Sequence, residues 1–171
     1  MKNLSYIDPF VSIGRDIKVF YEMVPFNNLA VLTSNLALEN IPWFEKRLRE
    51  IANEYTINLT VVEVRTSANE ALAALPAETD AVYVMPLAQL SPGEFRKLIY
   101  GIILRRLPSF STLGREDVEA GLLASVRPKS DIIRLTRRVA VNVQRILLGE
   151  KASTLRVAFP LSEKLTINMA T

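Results

Sequence analysis

Asn58-Leu59-Thr60-Val61-Val62-Glu63-Val64, Ser67-Ala68-Asn69-Glu70 and Ala81-Val82-Tyr83-Val84-Met85 follow one another within residues 58–85. The first and last runs are short, apolar and rich in β-branched residues, as strands are. The middle one has capping-box spacing and opens a short Ala/Leu helix reaching Leu75. Strand, helix, strand in so few residues predicts a parallel pair joined by a helical crossover.

The pattern extends in both directions. Leu29-Ala30-Val31-Leu32-Thr33 reads as an earlier buried strand. Asn40 is expected to cap a helix with Pro42 in its first turn, and Phe44, Leu48, Ile51 and Tyr55 then recur at helical spacing. Downstream, Ser91-Pro92-Gly93-Glu94 is a second capping box, leading a helix with Phe95, Leu98, Ile99, Ile102 and Ile103. Leu107-Pro108-Ser109-Phe110 and Gly121-Leu122-Leu123-Ala124-Ser125-Val126 are two further strand candidates. Ser130 is expected to cap a long helix that should hold Ile132, Ile133, Leu135, Val139, Val143, Ile146 and Leu147 inside, with Gly149 at its C′ position. Two β-like runs close the chain, Thr154 to Phe159 and Lys164 to Asn168. Before Leu29 a helix is expected from about Gly14 to Val24, ended by Pro25.

Strands alternating with helices of these lengths predict an α/β fold: three layers, an open, mostly parallel sheet of about five strands, helices on both faces. No linker or repeat divides the 171 residues. Residues 1–28 read as an N-terminal helix and hinge-side segment, and residues 29–171 as one α/β lobe.

Composition narrows the chemistry. The chain has no cysteine and no histidine. Disulfides, thiolate metal sites and the commonest general base are therefore excluded. The six glycines build no GxGxxG, no P-loop and no GxSxG. No lysine sits in an apolar setting beside a serine. Glu116, Asp117 and Glu119 cluster on what reads as a first helical turn, where acids suit the helix dipole, and they do not converge from separate elements. A flavin enzyme on such a sheet needs an anion-binding loop after the first strand, and Thr33-Ser34-Asn35-Leu36 is short for that. The reading is non-enzymatic, with no cofactor and no metal.

Net charge is +3, but Arg127 to Lys151 carries seven basic and two acidic residues, so that stretch is +5 and the rest −2. A basic helix can attract phosphate or anionic lipid; without aromatic interleaving the simpler reading is a solvated Arg face, and no nucleic-acid partner is expected. The N-terminus lacks the apolar core and cleavage site of a signal peptide, and no apolar run approaches the roughly 20 residues of a membrane span. A soluble chain follows, either cytoplasmic or cut from a longer precursor.

In an open α/β sheet, ligands bind at the C-terminal ends of the strands near the switch in strand order. Polar segments are expected there: Ser34 and Asn35, Arg65, Met85, and Ser109, Ser111 and Thr112. Hydroxyls and amides would hold a small polar ligand, and Arg65 could pair a carboxylate bidentately. Ser67 is accounted for by its capping box.

Asp80-Ala81-Val82-Tyr83-Val84, Leu107-Pro108-Ser109-Phe110, Gly121-Leu122-Leu123-Ala124-Ser125, the helix from Arg138 to Gly149 and Leu165-Thr166-Ile167-Asn168-Met169-Ala170 occur in a familiar order. From about Leu29 onward the chain resembles the uncharacterised ABC-transporter substrate-binding protein family, with its type I periplasmic-binding fold. The resemblance implies two hinged α/β lobes closing on a small solute, an extracytoplasmic location and a membrane permease as partner. It implies that this chain is the C-terminal lobe alone. A lobe without its companion is expected to bind weakly and to self-associate. Met85-Pro86-Leu87-Ala88 departs from the polar residues usual at that strand end and favours an apolar ligand group. The same fold also serves as a sensor or protein-interaction domain in membrane-associated or regulatory assemblies, which is the alternative reading.

Overall fold

The computed structural model describes residues 8–9, 13–40, 44–126, 130–155, 158–159 and 164–171. In chain order, β1 (Asp8–Pro9) precedes α1 (Ile13–Met23), β2 (Asn28–Ser34) and α2 (Asn35–Asn40). Then come α3 (Phe44–Tyr55), β3 (Asn58–Val64), α4 (Ala68–Ala73), β4 (Ala81–Val84) and α5 (Pro92–Leu104). The second half holds β5 (Ser109–Ser111), α6 (Arg115–Glu119), β6 (Ala124–Ser125) and α7 (Ser130–Leu147). A 3-10 turn (Ala152–Thr154), β7 (Ala158–Phe159) and β8 (Thr166–Ile167) finish the chain.

The main sheet has six strands in the order β3-β2-β4-β5-β6-β8. The first five are parallel, and β8 is antiparallel to β6. Alternation along each strand feeds two cores. Leu29, Val31, Tyr83 and Phe110 face one way and pack with Ile17 and Phe20 of α1 and with Phe44, Leu48 and Ile51 of α3. Ala30, Leu32, Val62, Val64, Val82 and Val84 face the other way and pack with Ala71 of α4 and with Leu98, Ile99 and Ile102 of α5. Both faces of the sheet are thus covered, which is why β2 and β4 read as continuous apolar runs.

Both capping boxes form only half of the motif. Ser67 Oγ accepts from the Glu70 N–H at 3.3 Å, and Ser91 Oγ from the Glu94 N–H at 3.2 Å. The Glu94 carboxylate does not turn back to its own cap. It accepts from the Ala68 N–H at 2.8 Å, so one helix caps the start of its neighbour, and the Lys97 ammonium holds it from its own helix at 2.6 Å. Hydrogen bonding, first from Lys97 and then from Ala68, holds its pKa below the usual carboxylate value.

Several sequence expectations are corrected. Asn40 ends α2, and the helix start expected directly after it, Pro42 included, lies outside the described residues. The strand expected over Gly121–Val126 shrinks to Ala124–Ser125. Gly121 instead has φ +127° and closes α6 in a Schellman motif, its N–H on the Val118 carbonyl and that of Leu122 on the Asp117 carbonyl. The run from Thr154 opens with the 3-10 turn, and β7 pairs in parallel with β1, apart from the main sheet. The second tail run supplies β8 as a sixth strand. The largest correction concerns α7: Ile133, Val139, Val143, Ile146 and Leu147 are exposed, not inside. The amphipathic period was real, but nothing among the described residues covers that face. Gly149, at φ +96°, ends the helix as expected.

Candidate functional site

The chain runs from β2 to β3 on one side and then to β4 on the other. The switch in strand order therefore lies between β2 and β4, at their C-terminal ends. Ser34 closes β2, half-buried, and Asn35 opens α2, exposed. Met85 follows β4, half-buried, with its N–H on the Leu32 carbonyl at 2.9 Å. Thr112 follows β5, buried, with its N–H on the Val84 carbonyl at 3.0 Å.

The last paired residues are Leu32 with Val84 and Val84 with Ser111. One step further on, Thr33, Met85 and Thr112 form a row on the face that carries Val31, Tyr83 and Phe110. Beneath that row lies a buried polar chain. Arg15 donates to Asp16 Oδ1 at 3.0 Å, the Tyr83 hydroxyl to Asp16 Oδ2 at 3.0 Å, and Thr112 Oγ1 to the Tyr83 oxygen at 2.9 Å. Thr112 Oγ1 also lies 3.5 Å from Met85 Sδ. Thr33 Oγ1 is buried at the crevice with no hydrogen-bond partner, a group that gains from one.

Of the residues expected at the site, Ser34, Asn35, Met85 and Thr112 gather at the switch. Ser111 supports the loop behind them: its Oγ donates to Asp117 Oδ2 and accepts from the Leu113 N–H at 2.9 Å. Burial pushes the Asp117 carboxyl above the usual range, the Ser111 bond opposes this, and Glu116 adds to it. Ser109 lies at the opposite end of β5, where its Oγ accepts from the Leu123 N–H at 3.1 Å. Arg65 stands apart, exposed beyond β3, 3.2 Å from Glu63. It borders a groove of about 360 Å³ with Thr60, Val62 and Glu70.

Tyr83 and Asp16 escaped the sequence reading. A signal for Asp16 was present, since it falls between Ile13, Ile17 and Phe20 on the apolar face of α1. Together these groups make a buried polar network beneath the strand ends, with the half-buried Met85 beside it.

No family model matches the sequence, and no curated protein does. Solved structures do. A conserved domain protein from Vibrio cholerae superposes with a TM-score of 0.78 at 19% identity, over 97% of this chain and 55% of its own. An ABC domain from Streptococcus pneumoniae in complex with L-Trp gives 0.67 at 18%, over 90% of this chain and 52% of its own. The ligand-free, open form of a substrate-binding protein with adhesive properties from Clostridium difficile gives 0.67 at 18%, over 97% and 56%.

The fold is that of a periplasmic-binding-protein-like lobe. The chain spans a little over half the length of each of these three proteins. No helix among the described residues is long and apolar enough to cross a membrane.

Proposed function

We propose that this chain is a solute-binding lobe of an extracytoplasmic substrate-binding protein that serves an ABC-transporter permease, holding a small molecule by closure against a second lobe. The observation that carries the reading is the row Thr33, Met85 and Thr112 at the switch in strand order. A buried hydroxyl there lacks a partner, on a fold also found in a substrate-binding protein. In this reading Ser34, Asn35 and Thr112 supply hydrogen bonds, and Met85 lies against an apolar part of the ligand. Ser109 and Ser111 act through the backbone they hold, and Arg65 contributes at the rim of the closed cleft. The neighbour bound to L-Trp makes an amino acid with an apolar side chain the first solute class to test.

Calorimetry of a two-lobed protein containing this chain, against panels of amino acids and small organic acids, tests the proposal. Binding that Thr112→Val and Met85→Ala both weaken supports it. No heat from either panel removes it.

A further inference from the structure

The two edges of the main sheet differ. At one edge β8 is two residues long, whereas at the other β3 runs for seven, Asn58–Val64. Sheet edges are ordinarily kept from pairing by short strands, proline or lysine. β3 holds neither proline nor lysine, and Glu63 is its single charged residue. The Asn58 N–H donates to the Asn27 carbonyl at 2.7 Å, and Asn58 is in register with Asn28. In a parallel ladder alternate residues turn to the same neighbour, so Asn58, Thr60, Val62 and Val64 direct their main-chain groups to β2. Leu59, Val61 and Glu63 direct theirs to the open edge, where no strand pairs with them among the described residues.

A groove flanks this edge on each side of the sheet. Beside α3, Glu45, Leu48, Arg49 and Ala52 line a space of about 310 Å³ with Leu59 and Val61. Beside α4 lies the groove of about 360 Å³ bordered by Thr60, Val62, Glu70 and Ala74. Successive side chains of an added strand would enter these two spaces in turn. Leu59 and Val61 are half-buried and Thr60 is exposed, so all three have surface left to cover. At the rim of the first groove Arg49 and Glu45 form an exposed ion pair at 2.9 Å.

We propose that β3 pairs with β3 of a second copy of this chain, antiparallel about a two-fold axis at Val61, so that one sheet runs through both copies. The pairing is independent of the solute-binding reading. The phase of the ladder permits it. Val61 meets the partner's Val61 with both main-chain groups outward, and Leu59 meets the partner's Glu63 in the same way, so each outward donor finds an outward acceptor. Thr60 then stands opposite the partner's Val62, a β-branched pair on the α4 side. The apolar groove beside α3 lies next to the partner's Leu59 and Val61. Charge selects the same occupant. The axis that reverses β3 also sets α3 of the two copies side by side and antiparallel, with Glu45 of each towards Arg49 of the other. A strand of unrelated sequence would satisfy the main chain of β3 without this exchange.

Sedimentation and residue-resolved amide hydrogen exchange test the pairing, on the protein as its own cells produce it and over a concentration series. A dimer is expected to form as concentration rises. The amides of Leu59, Val61 and Glu63 should gain protection in step with it, while those of Asn58, Thr60, Val62 and Val64 exchange slowly at every concentration. Val61→Pro removes an outward N–H at the axis and no bond to β2, a place where an edge strand tolerates proline, and should weaken the dimer by at least about tenfold. Glu45→Arg, away from the strand, should weaken it as well, and Glu45→Arg combined with Arg49→Glu should restore it, which a folding defect would not do. A monomer at all concentrations overturns the proposal. So does a dimer whose Leu59, Val61 and Glu63 amides exchange freely, one that a folded Val61→Pro variant forms equally well, or a double charge variant no better than the single one.

Discussion

The Tyr83 hydroxyl donates to Asp16 at 3.0 Å while accepting from Thr112 at 2.9 Å. One phenol thereby ties helix α1 to the strand ends of the candidate site. Tyr83 and Asp16 are both buried, so the bond to the carboxylate is the stronger, charge-assisted kind. Tyr83→Phe keeps the ring in the core and removes this link. It is expected to cost about 2 kcal/mol, seen as a lower urea midpoint with unchanged slope. An unchanged midpoint would show that Asp16 is satisfied without the phenol.

Asp117 sets a pH dependence of definite sign. Burial raises its folded pKa above the ordinary value of 3.8. Between the unfolded and folded values the native state holds a proton that the unfolded chain has released, so stability falls as pH rises through that window. Above the folded pKa the loss is complete. Asp117→Asn keeps an acceptor for Ser111 and removes the buried charge. The variant should gain stability over the parent at neutral pH, and the gain should disappear in acid. Urea midpoints measured across acid to neutral pH decide it, and parallel curves would refute the assignment.

Two glycines test opposite causes. At Gly101 an added Cβ would lie 2.2 Å from a Leu72 methyl and within 3.1 Å of its branch carbon, so the whole side chain must move. Gly101→Ala should destabilise by about 1–2 kcal/mol despite alanine's better helix propensity, because overpacking outweighs it. At Gly149 an added Cβ meets nothing within 4 Å, but φ is +96°. Gly149→Ala should cost about 1–2 kcal/mol from backbone conformation alone. Adding Leu72→Ala should relieve the first defect and leave the second.

Asn142→Leu should stabilise the 171-residue chain. It replaces two unpaired buried polar atoms with methyl groups, worth about 1–3 kcal/mol. Thermal and urea unfolding of the two proteins side by side measures the gain. A loss of stability would mean that the amide already has a partner in solution.

The parallel sheet was legible because its strands announce themselves. Asn58–Val64 forms over the residues its composition marks, and Ala81–Val84 falls one residue short of the expected run. Helix starts were legible through Ser67 and Ser91, whose side chains cap as their spacing demands. The partner of Glu94 was not legible, since a capping box names a local acceptor and the bond to Ala68 exists only once α4 and α5 lie side by side. Gly121 misled for a related reason: an apolar run after a glycine suits a strand start and a Schellman closure equally. At the candidate site, Ser34, Asn35, Met85 and Thr112 could be found from strand ends. Ser109 could not be told from them, because which end of a three-residue strand faces the crevice depends on pairing with β4. Tyr83 was hidden inside its own strand. For α7, hydropathy period specifies that a face wants cover and is silent on what supplies it.

The Lys164 N–H on the Val126 carbonyl brings the chain back to the edge of the main sheet where it left it. The strands on either side of this bond, β6 and β8, already run antiparallel as a hairpin would. A tight turn joining them leaves the order and register of the six strands as they are. Among the described residues α7 enters neither core of the sheet, and β7 ties the same stretch to β1 instead, so the strands that build the crevice at β2 and β4 owe their packing to other helices.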